Sequence, residues 1–117
     1  MSAESDFRAL LTAYAGLTAL VPAARIAQNA VDQGAPTPYI VFTAQHTPDY
    51  GLDNTLLADG VTFRVECWGE TSLSADAVAD QVQLAMLAAG RVCTSRQTGL
   101  DPELGLDATI LTAEWWA

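Results

Sequence analysis

The side chains of this chain that could do chemistry are His46, Cys67, Cys93 and a set of carboxylates at Asp49, Asp53 and Asp59. His46, the only histidine, would serve as a general base if partners held it within hydrogen-bond reach of a proton. It follows an apolar run and precedes Thr47-Pro48, a setting that reads as a surface residue. Zinc needs three or four Cys, His or carboxylate ligands close together, and His46, Cys67 and Cys93 show no such spacing. The three aspartates invite calcium, but they miss the spacing and central glycine of an EF-hand loop and read as a solvated acidic loop. Phosphate-binding loops, Gly-x-Ser-x-Gly elbows and dinucleotide fingerprints do not occur. Nothing arranges a Ser, Cys or carboxylate into an activated nucleophile. This reading assigns no catalytic residue, no cofactor and no metal.

Composition narrows the partners. The 117 residues suffice for one domain spanning 1–117 with a sizeable core. Half the residues are hydrophobic, which excludes a disordered chain. There is no lysine, and five arginines stand against fourteen acidic residues for a net charge of −9. Nucleic-acid binding depends on Lys and Arg neutralising phosphates, so DNA or RNA binding is excluded as the main task. Two cysteines make no disulfide framework. Cys67 falls on the dry side of a strand pattern and reads as a small buried hydrophobe. The acidic N-terminus and the lack of a long apolar run predict neither signal peptide nor membrane anchor, as for a protein of the cytosol or assembled there.

The elements that must position these side chains follow from periodicity. Phe7, Leu10, Leu11 and Tyr14 recur at helical spacing and predict a first helix over 4–14, with Ser5 as its cap. Leu17–Val21 reads as a turn or helical stub stopped by Pro22, Arg25–Val31 as a short strand, and Gln33–Pro38 as a loop. Tyr39–Ala44 is apolar on both sides, as in a strand covered on both faces. Val61, Phe63, Val65 and Cys67 alternate with Thr62, Arg64 and Glu66, which predicts a strand with one dry face. Gln45–Gly60 between them is too long for a tight hairpin turn and reads as a long functional loop. A second helix is expected from Thr71 or Ser72 to about Ala89. Its buried stripe is Val78, Val82, Ala85, Met86 and Ala89; Asp76, Asp80, Gln81 and Gln83 face water, and Gly90 ends it. Residues 91–97 form a strand, Thr98–Leu106 a turn or second projecting loop, and Asp107–Trp116 a last strand. The fold class is α+β: a mostly antiparallel sheet with two α-helices packed on one face and a long β-hairpin loop.

Without catalytic chemistry, the functional candidates are contact residues. The 45–60 loop mixes polar residues, Asp49 and Asp53 among them, with Tyr50, Leu52, Leu56 and Leu57, which suits docking on a partner. Arg91 and Arg96 either pair with a neighbour's carboxylates or are solvated. Neighbours on a strand point to opposite faces, so one of Trp115 and Trp116 can pack inward while the other anchors an interface. Equally, both can pack on the chain's own core and fasten the last strand.

The ordered set of pieces resembles the bacteriophage tail-completion or tail-terminator family of siphophage-like tails. The pieces are the N-terminal helix ending in Leu17-Thr18-Ala19-Leu20-Val21 with Arg25-Ile26 after it, Pro38-Tyr39-Ile40-Val41-Phe42, and the loop with Asp49-Tyr50 and Leu52-Asp53. Then come Val61-Thr62-Phe63-Arg64-Val65-Glu66-Cys67-Trp68 running into a helix near Thr71, the turn Asp101-Pro102-Glu103-Leu104-Gly105-Leu106, and an aromatic last strand. The resemblance implies a structural virion protein assembled in the host cytoplasm. Relatives form a ring, commonly a hexamer, at the head-proximal end of the tail tube, stop tube growth and meet the head-completion or neck proteins. DNA would pass through the lumen without specific binding, and an acidic composition suits that passage. The family has no catalytic residues to carry over. Other readings are a head-completion or neck protein acting as stopper or adaptor, a small hydrolase using Cys93 or His46, and a small acidic binding module that mimics nucleic acid.

Overall fold

The computed structural model describes residues 2–30, 36–50 and 56–116, and for 47–50, 56–59 and 116 the backbone alone. The chain begins with helix α1 (Ala3–Thr12) and a single turn, α2 (Ala15–Thr18). A 3-10 turn at Ala23–Arg25 leads into β1 (Ile26–Gln28). The long strands β2 (Tyr39–Tyr50) and β3 (Leu56–Gly69) follow, then helix α3 (Ser72–Ala88), β4 (Cys93–Asp101) and β5 (Leu106–Trp116). The sheet order is β1-β2-β3-β5-β4. Every pairing is antiparallel except β1 with β2. The α+β class and the largely antiparallel sheet agree with the sequence, and α2 adds a helical turn to the two helices expected.

The alternation of β3 positions the core. Val61, Phe63, Val65 and Cys67 are fully or almost fully buried. They lie opposite Ile40 and Phe42 on β2 and Leu111, Ala113 and Trp115 on β5. Helix α1 closes this face with Phe7 and Leu11, α2 with Leu17, and α3 with Val78, Ala79, Val82 and Met86. The Phe7 ring lies flat on Phe63, centroids 4.2 Å apart, and Phe42 and Trp115 meet Phe7 edge-on at 5.4 and 5.8 Å. Such pairs add about 0.5–1.5 kcal/mol each beyond the area they bury.

Local rules set the helix ends. The α1 cap is Ser2, not Ser5: the Ser2 hydroxyl accepts the Ser5 N–H at 3.1 Å, and the Ser5 hydroxyl donates back to the Ser2 carbonyl. Thr71 caps α3 by accepting the Ser74 N–H. At the other end the Gly90 N–H reaches the Leu87 carbonyl and the Arg91 N–H the Met86 carbonyl, a Schellman closure that places Gly90 at φ +73°. Ala89, expected in the buried stripe, lies past the last helical turn and is exposed. Between β3 and α3 the chain turns so tightly at Gly69 that a Cβ there would sit 2.9 Å from the Ala75 nitrogen.

The strands run further than expected. Residues 45–50 and 56–60 are strand, not loop: β2 and β3 stay paired out to Tyr50 opposite Leu56, with an irregularity between Asp49 and Tyr50. Pro48, Asp49, Asp59 and Gly60 favour turns locally, but a ladder already in register from Tyr39–Trp68 extends through them. Pro48, which cannot donate to a ladder, is tolerated because β1 reaches β2 only at Ile40–Phe42. The expected second loop is also mostly strand. β4 continues to Asp101, and the turn is confined to 102–105, where the Asp101 carboxylate accepts the Glu103 and Leu104 N–H groups.

Candidate functional site

The outer half of the β2–β3 hairpin is the first candidate surface. β5 reaches β3 only from Gly60 onward, so residues 48–50 and 56–59 pair only with each other among the described residues. The molecule is correspondingly elongated, 50 × 30 × 23 Å, with a radius of gyration of 14.9 Å against about 13 Å for a compact chain of this length. Of the predicted contact residues, Asp49, Tyr50 and Leu56 lie on this hairpin with their backbones in the ladder, and Leu57 lies in β3 at the register irregularity. Leu52 and Asp53 lie outside the described residues.

His46 sits at the hairpin's root, where its Nε2 meets the Glu4 carboxylate and ties the first turn of α1 to β2. That hydrogen bond is the main cause holding the Glu4 carboxyl below its usual range.

Trp115 is the inward tryptophan. It is 7 % exposed and belongs to the aromatic cluster. The Arg91 guanidinium lies over its ring, 3.9 Å from the centroid, a contact worth roughly 0.5–1 kcal/mol near a surface. The backbone of Trp116 pairs with Gly60. The two sequence candidates Arg91 and Trp115 therefore touch each other.

Arg96, on β4, is turned onto α3 of the same chain. Its guanidinium donates to Asp80 at 2.9 Å and to Asp76 at 3.3 Å, and it also reaches Gln83. Asp76 in turn accepts the hydroxyl of buried Thr109 at 2.6 Å. The Thr109 hydrogen bond, followed by Arg96, holds the Asp76 carboxyl below its usual range. This network joins α3 to β4 and β5 and offsets one of the two carboxylate charges on that flank of the helix.

What remains on the outside of α3 is apolar. Leu73, Leu84 and Leu87 are 81, 46 and 58 % exposed, and Ala77 and Ala88 between them are exposed too. At helical spacing they form one stripe opposite the core, broken only by Asp80. The sequence reading assigned this side of the helix to Asp76, Asp80, Gln81 and Gln83 and missed the leucines. The signal was present: Leu73, Leu84 and Leu87 recur at helical spacing on the side away from the buried stripe.

The two cysteines are placed for packing. Cys67 is fully buried, and burial pushes its thiol up to about 12. Cys93 is half-buried beside Met86 and is likewise raised by burial. Neither favours the reactive thiolate form. Among the described residues no group of three His, Cys, Asp or Glu could hold a metal ion, and no helix is long and apolar enough to cross a membrane.

Residues 5–113 match the family model described as tail completion protein gp17. The chain belongs to the tail completion protein gp17 family. It is accordingly a structural protein of a phage-type tail, placed in the virion among other virion proteins. The fold is also similar to a chain in the virion of a native gene transfer agent particle, with a TM-score of 0.75 and 14 % identity over 94 % of this chain and 90 % of that one. No curated protein matches the sequence. The ordered pieces named in the sequence therefore did carry the family.

Proposed function

We propose that this tail completion protein forms a ring, hexameric by the family resemblance, that caps the head-proximal end of the tail tube. The cap stops tube growth and presents a surface to the head-completion or neck proteins. The observation that carries this reading is the family match across residues 5–113. Two features of the molecule support it. The β2–β3 hairpin is long and paired mainly with itself, a reach suited to contact with a neighbour. The outer stripe of α3 exposes leucines on an otherwise acidic chain, as expected of a surface that becomes covered in an assembly. Within this reading Asp49, Tyr50, Leu52, Asp53, Leu56 and Leu57 contribute the hairpin's contacts. Arg91 and Trp115 brace the end of β5, and Arg96 reduces the negative charge on the α3 flank. The surplus of carboxylates suits a lumen through which DNA slides by repulsion.

Deletion of the gene followed by electron microscopy tests the proposal. It predicts full heads together with tails that are unjoined or overgrown. Normal virions would refute it. Leaking heads beside tails of normal length would instead support a head-completion role.

A further inference from the structure

Strand β4 is the outermost strand of the sheet, and among the described residues its strand neighbour is β5 alone. Half of its backbone N–H and C=O groups therefore point away from the sheet, a template for another strand. Natural edges are usually blunted by lysine, proline, inward charges or bulges. β4 has no lysine and no proline, and its register shift lies at the very start, between Cys93 and Ser95. Its one basic residue, Arg96, is drawn onto Asp76 and Asp80 of α3. Thr94, Ser95, Gln97 and Thr98 are exposed and small or neutral.

Strand direction says what fits there. β2 is antiparallel to β3, β3 to β5 and β5 to β4, while β1 is parallel to β2. β4 thus runs opposite to the strands at the far side of the sheet. A second copy set beside the first in the same orientation brings its β1 side against β4 in the antiparallel sense, and the alternation continues. Charge agrees. In a chain with fourteen acidic residues, the stretch Cys93–Leu100 and the strand Ile26–Gln28 contain no carboxylate. Copies that repel elsewhere can meet along these two edges without opposing carboxylates, and an incoming β4 must displace the Arg8 guanidinium from the Ile26 carbonyl at the β1 edge.

We infer that β4 is the seam between subunits, adding in antiparallel fashion to the β1 side of the next copy. Repetition of that head-to-tail contact closes a ring when the rotation per copy divides a full turn. A two-fold β4–β4 contact would instead use up both edges and stop at a dimer. The inference rests on the ring reading above and specifies its contact.

The test compares amide exchange of the wild-type protein free and bound at the ends of purified tail tubes. The seam predicts new protection at alternate amides of 94–100 and in 26–28 on assembly. Rings without that protection would overturn the seam and leave the ring reading standing. Failure of the wild type to form rings at all would overturn both. Protection of β4 alone, in a dimer, would overturn head-to-tail pairing. A proline scan sharpens the result. Gln97→Pro and Thr98→Pro strike neighbouring amides, which face opposite sides of β4. The one that faces β5 breaks the fold. The other keeps the monomer's melting curve and abolishes rings; rings formed by that folded variant would overturn the inference.

Discussion

Helix α3 has two apolar faces with different fates. Inward, Ala75, Val78, Ala79, Val82, Ala85 and Met86 are buried against the sheet. Outward, Leu73, Leu84 and Leu87 stand in solvent. The residue chemistry is nearly the same, so hydrophobicity alone does not tell folding from assembly. The inner face is satisfied by the chain's own α1, β3 and β5. The outer face is apolar without a cover from the described residues, while Arg96 pairs with Asp76 and Asp80 beside it and offsets part of their charge. In the proposed ring, the outer face is the one left for contact with other virion proteins.

The largest effect expected on either side of this comparison is on the inner one. Phe63→Ala empties the centre of the aromatic cluster and should cost about 3–5 kcal/mol of stability, read from urea unfolding. Met86→Ala should cost about 2–5 kcal/mol. Leu87→Ala, its sequence neighbour on the other face, should change stability by under about 0.5 kcal/mol yet weaken incorporation into particles. Equal destabilisation by the two would erase the distinction between the faces. Arg96→Ala should cost about 1 kcal/mol, because its ion pairs are partly exposed, and should reduce assembly by freeing two carboxylates beside the leucines.

The smallest expected effect is on pH dependence. The folded Asp76 carboxyl lies below its ordinary value of 3.8, through Thr109 first and Arg96 second. A depressed folded pKa contributes stability that is present above the unfolded value and lost as pH falls through the folded one. Melting temperatures between pH 5 and pH 2 should therefore fall less steeply in Asp76→Asn than in the wild type. Parallel curves would show that the network does not stabilise the fold.

Much of this was legible in the residues. The alternation from Val61 to Cys67 and the apolar run at Tyr39–Ala44 gave the central strands, and the stripe around Val78, Val82 and Met86 gave α3. Those signals come from burial, which writes a period into sequence. The outer half of the hairpin was not legible, because Pro48, Asp49, Asp59 and Gly60 carry turn propensities that a ladder in register overrides. The burial of Trp115 depended on the register of β5 against β3, with Val61 opposite Trp115, which pattern alone leaves open. Arg96 was read as a residue for a neighbour's carboxylates or for solvent. Its partners lie on α3, far off in sequence, and only the fold brings them together.

The most direct test of the central claim is the length distribution of tail tubes polymerised with and without the purified protein, measured by electron microscopy. A terminating ring predicts tubes that stop growing and carry a cap at one end. Tubes that keep lengthening with bare ends, at protein concentrations equal to those of the tube subunit, would contradict it.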